Sequence, residues 1–151
     1  MFRFQFKALI AFVFCDHNNA MASPVSFSEV RELSVEADHV LLPYGAQNQQ
    51  TLVHFPVGAT DAGSVLVVHG GCWSNAYGVD HALPIAAALS ERGLDVWAAE
   101  YRRVGDEGGG WPGSLEDIKS AIRYVTQNTG ESPLLVGHSA GGHLALKAAE
   151  D

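Results

Sequence analysis

The chain has 151 residues, of which 47% are hydrophobic, and a formal net charge of −8. This length supports one domain with a buried core. The acidic balance, with basic residues scattered singly apart from Arg102-Arg103, excludes nucleic acid as a main partner, because no basic stripe follows a phosphate backbone.

Taken in order, the first 22 residues stand apart. Arg3 and Lys7 precede an apolar run from Ala8 to Cys15, and Ala20-Met21-Ala22 has the small-x-small form of a cleavage site. The run is far shorter than the roughly 20 apolar residues that a bilayer requires, so no membrane span is expected. Two readings stand: a leader peptide, giving a periplasmic or secreted protein, or a true start at Met21, giving a cytoplasmic one. Residues 23–151 are expected to form a partial α/β domain.

A short helix is expected around Glu29 to Glu36. Residues 39–44 and 50–55 read as strands joined by the turn-rich Gly45-Ala46-Gln47-Asn48, which makes an antiparallel hairpin. Pro43 suits an edge strand, where a missing N–H does no harm. Ser64 to Val68 is a continuous apolar run, the signature of a strand buried on both faces. Next comes a helix over 80–92, with Asp80 as N-cap and Gly93 as stop. Leu94 to Ala99 is the following strand, and Trp97 belongs to the core. Ser114-Leu115-Glu116-Asp117 reads as a capping box opening a helix to about Asn128, with Leu115, Ile118, Ile122 and Val125 on its buried face. Gly130 ends that helix. Pro133 to Val136 is the next strand, and a helix follows from Ser139.

Alternating strands and helices with short connections predict a mostly parallel sheet covered on both faces, after an initial antiparallel hairpin. Reactive groups in such sheets collect at the C-terminal strand ends, where the His69 and Ser139 segments fall. The two cysteines, Cys15 and Cys72, make no disulfide framework, and the seven histidines lack metal-ligand spacing. Gly105 to Gly110 is glycine-rich, but Asp106 and Glu107 would repel a phosphate, so a flexible loop near a pocket mouth is expected. Nothing calls for a cofactor or a metal.

Gly137-His138-Ser139-Ala140-Gly141 is a G-x-S-x-G pentapeptide between a buried-type strand and a helix. On its own it also reads as an ordinary strand-to-helix turn with Ser139 as N-cap. The alternative is a nucleophile lifted into the open beside unpaired N–H groups. His69-Gly70-Gly71-Cys72-Trp73 closes the first parallel strand, and its glycines let backbone N–H groups of Gly70, Gly71 and Cys72 turn into a shared cavity. With the N–H of Ala140 they would hold the oxyanion of a tetrahedral intermediate. His69 reads as a hydrogen-bonded anchor of that loop and Cys72 as a small filler. Trp73 and Trp111 are candidates to line a pocket.

Together these motifs resemble the α/β-hydrolase superfamily, over about residues 38–151. The His-Gly-Gly-x-Trp form is similar to kynurenine formamidase and related small bacterial esterases, as are Glu100-Tyr101-Arg102-Arg103, Trp111-Pro112 and Asp117 between the motifs. The resemblance implies a serine hydrolase of ester or amide bonds, including formamides, with Ser139 as nucleophile, Gly70, Gly71, Cys72 and Ala140 around the oxyanion, and a small-molecule substrate. It also implies an acid and a histidine later in the chain than Ser139. His143 belongs to the helix start, His138 is the variable residue of the elbow and points away from the hydroxyl, and neither Glu150 nor Asp151 matches the acid. The chain therefore reads as cut after the nucleophile helix and inactive alone. Two competing readings remain: a non-catalytic fragment or interaction module, and an α/β-hydrolase-type peptidase. A sheet ending at Leu134 to Val136 would present an apolar edge, through which self-association is expected.

Overall fold

The computed structural model describes residues 26–58 and 63–150. The leader and start-site readings of residues 1–22 lie outside them. The elements are α1 (Phe27–Arg31), β1 (Val40–Pro43), β2 (Thr51–Phe55), β3 (Ser64–Val68), α2 (Leu83–Ser90), β4 (Asp95–Ala99), α3 (Gly113–Thr129), β5 (Leu134–Gly137) and α4 (Ala140–Ala149). Five strands form one sheet in the order β1-β2-β4-β3-β5. The β1–β2 and β2–β4 pairs are antiparallel, whereas β3 pairs in parallel with both β4 and β5.

Strand alternation sorts the core into two layers. Leu66 and Val68 of β3 face one side, with Leu115, Ile118, Ile122 and Val125 of α3 and Leu144 and Ala148 of α4. Val65 and Val67 face the other, with Ala86 and Ala87 of α2. Every residue of β3 is buried, as its unbroken apolar run requires when helices cover both faces. Trp97 is 3% exposed, and its indole N–H donates to Asp95 at 2.7 Å. Pro43 sits on the edge strand β1. Gly93 and Gly130 adopt φ of 83° just past the ends of α2 and α3, the left-handed stop that a Cβ would penalise.

Three local expectations are corrected. The first helix starts earlier, at Phe27, because a capping box forms between Ser26 and Glu29. Asp80 is not an N-cap: a 3₁₀ turn spans Val79–Ala82 with Gly78 at its cap, and α2 begins only at Leu83, with Pro84 in its first turn. Ser114 does not head a capping box either. Pro112 precedes α3, after a cis Trp111–Pro112 bond. The Ser114 hydroxyl instead donates to the Arg102 carbonyl at 2.5 Å.

Asp117 is likewise more than a first-turn acid. It is 1% exposed and accepts four hydrogen bonds, from the Arg102 Nε, Nη2 and backbone N and from Gln50 Nε2, at 2.6–3.0 Å. The forked pair ties α3 to the segment leaving β4 and keeps the Arg102 guanidinium charged, its pKa raised chiefly by the Asp117 hydrogen bonds. Breaking a buried pair strands the surviving charge, which costs about 3–5 kcal/mol. Asp117→Ala is expected to lower the urea midpoint by that order of stability, with the slope of the transition unchanged.

Candidate active site

The helix after β3 lies on one face of the sheet and the helix after β5 on the other, although the two strands are neighbours. The loops leaving β3 and β5 therefore flank a crevice at the C-terminal edge, where open α/β sheets bind ligands. One loop carries His69 to Trp73, the other His138 and Ser139.

Ser139 has φ 53° and ψ −119° and is exposed. Its hydroxyl makes no capping bond to α4, so the ordinary N-cap reading does not describe it. Among the described residues, the non-glycine positions with positive φ are Cys72, Trp73 and Ser139. Each such position costs on the order of 1–3 kcal/mol and persists only where surrounding structure holds it. All three flank this crevice.

Two glycines bring the loops together. A Cβ on Gly141 would lie 2.1 Å from the Val68 carbonyl oxygen and 2.4 Å from that of His69, so only glycine lets α4 start against the end of β3. A Cβ on Gly70 would meet the His138 carbonyl at 2.8 Å and the Ser139 Cβ at 3.1 Å. Gly70 thus abuts the serine segment directly. The N–H groups of Gly71, Cys72 and Ala140 donate no hydrogen bond within the described residues, leaving donors free at the crevice.

Of the remaining sequence-selected residues, Cys72 is corrected: it is exposed and fills no gap. Trp73 is 39% exposed, with its ring edge-to-face with His143 at 5.6 Å. Trp111 is 67% exposed. The Nδ1 of His138 lies against Gly70. No described histidine is hydrogen-bonded to the Ser139 hydroxyl. The glycine-rich loop is tied down through Asp106, which accepts from the Arg103 N–H at 2.9 Å and from Asn75 at 3.2 Å.

His69 is fully buried, with Nδ1 2.7 Å from the Gly70 carbonyl and Nε2 3.0 Å from Glu100 Oε1. Its ring stacks on Tyr101, whose hydroxyl donates to the His69 carbonyl at 2.9 Å. Glu100, Tyr101 and Arg103 were not singled out as working residues by composition or spacing. The available signal was an acid directly after the buried apolar run Val96 to Ala99 of β4, a place where a charge needs partners. On the α2 side, a cavity of about 640 Å³ is lined by Val67, Ile85, Val136, His81 and His138. Burial, followed by the nearby His69, holds the His81 ring below its ordinary 6.5.

An α/β sheet with a strained serine at a strand-to-helix elbow and open donors beside it defines an α/β-hydrolase of the carboxylesterase-like kind. Residues 53–150 match the BD-FAE family, and the chain belongs to that family. It is 30% identical over 108 residues to a kynurenine formamidase from Meyerozyma guilliermondii, covering 71% of this chain and 41% of that protein. Among solved structures it is similar to a bacterial heroin esterase, with 25% identity, a TM-score of 0.59 and coverage of 82% of this chain and 43% of the esterase. Esterase B from Lactobacillus rhamnosis is 27% identical, with a TM-score of 0.59 and coverage of 75% and 39%. The fold is shared as well by a hormone-sensitive-lipase homologue from a metagenome library, at 22% identity and a TM-score of 0.65 over 83% of this chain and 44% of that one. The chain thus spans about two-fifths of the length of these relatives.

Glu100 links the site to pH. Burial raises its carboxyl pKa, but the hydrogen bond and charge of His69, the Val79 N–H and Arg103 outweigh burial and hold it below its ordinary 4.5. A depressed folded-state pKa stabilises the fold above the unfolded value, and that stability is lost as pH falls through the folded one. Thermal midpoints are expected to hold on descent to about pH 5 and then fall below 4.5. In Glu100→Gln the midpoint is expected to start lower and to decline less over the same window.

Proposed function

We propose that this chain carries the nucleophile and oxyanion half of a serine hydrolase acting on ester or amide bonds of small molecules, formamides included. Ser139 Oγ attacks the carbonyl carbon, and the carbonyl oxygen takes up the negative charge. The N–H groups at Gly70, Gly71 and Cys72, with that of Ala140, hold this oxygen. The leaving group departs with a proton, and water then hydrolyses the acyl-Ser139 ester. The observation that carries this reading is the exposed Ser139 at φ 53°, whose hydroxyl neither caps the helix nor makes a hydrogen bond among the described residues. An alternative use for so strained a serine would have to explain why open N–H donors and a second strained pair, Cys72 and Trp73, stand beside it. Support for ester or amide chemistry comes from the esterases and the formamidase among the relatives.

The general base and its acidic partner lie, in this reading, in polypeptide beyond the 151 residues, consistent with the greater length of the relatives. The 151-residue chain is therefore expected to hydrolyse p-nitrophenyl acetate hardly faster than its Ser139→Ala variant, since loss of triad members leaves only about 10³–10⁴-fold over water even in a complete enzyme. A longer product of the same reading frame that supplies a late acid and histidine is expected to show turnover that Ser139→Ala abolishes. Strong Ser139-dependent turnover by the shorter chain would put the base within it. Turnover indifferent to Ser139 in the longer product would refute the hydrolase.

The β5 edge bears on partners. Among the described residues β5 pairs with β3 alone, and Leu134 to Val136 carries no charge or proline. Unpaired edge groups on such a strand invite another chain. Analytical ultracentrifugation is expected to find the chain self-associating; a monomer at all concentrations would rule this out.

A further inference from the structure

We infer that Glu100 is the positioning residue of the oxyanion loop, a single carboxylate that clamps both ends of residues 70–78. The inference rests on the hydrolase reading and deepens it. Oε1 accepts from His69 Nε2 at 3.0 Å and from the Tyr101 N–H at 2.9 Å, and it is ion-paired with Arg103 Nη1 at 2.9 Å. Oε2 accepts from the Val79 N–H at 2.9 Å. His69 immediately precedes the loop and Val79 immediately follows it. Every group facing the carboxylate is a donor, so the site demands an acceptor on both oxygens.

The loop between these ends needs such a restraint. Gly71, Cys72 and Trp73 hold φ of 111°, 53° and 56° in succession, and bulky residues leave that region when nothing opposes them. The segment that follows Glu100 continues the restraint. The Arg103 guanidinium donates to the Tyr77 carbonyl. Val104 bridges the loop by donating to the Trp73 carbonyl at 2.7 Å and accepting from the Asn75 N–H at 3.1 Å. Inside the loop, the Ser74 N–H donates to the Gly71 carbonyl at 3.0 Å. A carboxylate fixed at residue 100 thus sets where the Gly71 and Cys72 N–H groups point, without touching substrate.

An isosteric change separates positioning from packing. Glu100→Gln keeps the volume but turns one oxygen into a donor that must face a donor. Native-state amide exchange on the full ¹⁵N-labelled chain reads the result. Val79 and Tyr101 lose their acceptor directly, so their amides report only that the bond is gone. Ser74, Asn75 and Val104 do not touch Glu100, and their exchange is expected to accelerate about tenfold or more as the loop opens locally. Leu66 and Trp97 in the sheet are expected to stay protected. The ¹⁵N resonance of His69 Nε2 is expected to move away from its carboxylate-bonded position. Glu100→Asp, with the charge kept but the reach shortened, is expected to give intermediate acceleration at the same three amides.

The inference is overturned if Ser74, Asn75 and Val104 exchange as in the parent chain while Val79 and Tyr101 accelerate, in either variant whose sheet stays protected. Loss of sheet protection in both variants also overturns it, since Glu100 would then belong to the global fold. None of these readouts needs turnover. Failure of Ser139-dependent hydrolysis would count against the proposed function alone, and failure of the exchange pattern against Glu100 alone.

Discussion

The structure turns on one close approach, that of the α4 start to the end of β3. The Gly141 Cα sits where a Cβ would reach 2.1 Å from the Val68 carbonyl oxygen. The His138 N–H donates to that same carbonyl at 3.1 Å. Gly137 repeats the demand one turn back, since a Cβ there would reach 2.6 Å from the Gly141 carbonyl. Ser139 is the residue left between these contacts, and it takes up the bend as φ 53°. Strain at the serine is therefore the geometric consequence of docking a helix tightly against the neighbouring strand. The same docking brings Gly70 against Ser139, so nucleophile and donors are neighbours for one reason.

A second layer of organisation is polar. The segment after β4 contributes Glu100, Arg102 and Arg103 in quick succession, and their charges serve two tasks. Arg102 turns to Asp117 on α3 and secures the helix layer. Glu100 and Arg103 turn to the loop after β3. Tyr101 between them is fully buried and stacks on His69. Buried charges of this kind are tolerated because nearly every lone pair and donor has a partner. They add directional bonds to places where apolar packing alone would leave a loop free to choose among conformations.

Much of the architecture was legible in the chain. The β3 run, the β4 run, the apolar stripe of α3 and the stops at Gly93 and Gly130 all stand where periodicity and turn chemistry put them. Helix starts were less legible. Asp80 and Ser114 are good N-cap types, yet neither caps, because a 3₁₀ turn precedes α2 and Pro112 precedes α3. Residue type states what a side chain can do at a helix start, and tertiary contacts decide whether it is asked to. Asp117 illustrates this: its place in a capping-box pattern concealed a partner, Arg102, 15 residues away.

By itself the sequence determined that strands buried on both faces alternate with helices, and that a Gly-flanked serine lies at a strand-to-helix boundary. Those are local matters of hydrophobic period and of small residues at a turn. Only the tertiary structure decided that the loop after β3 meets the loop after β5. That meeting depends on β3 pairing with β5 across 60-odd residues of chain, with the following helices on opposite faces. It also decided that Glu100 serves both ends of one loop. A carboxylate acquires that role through donors at His69, Val79 and Arg103. Folding alone brings those donors within reach of one another.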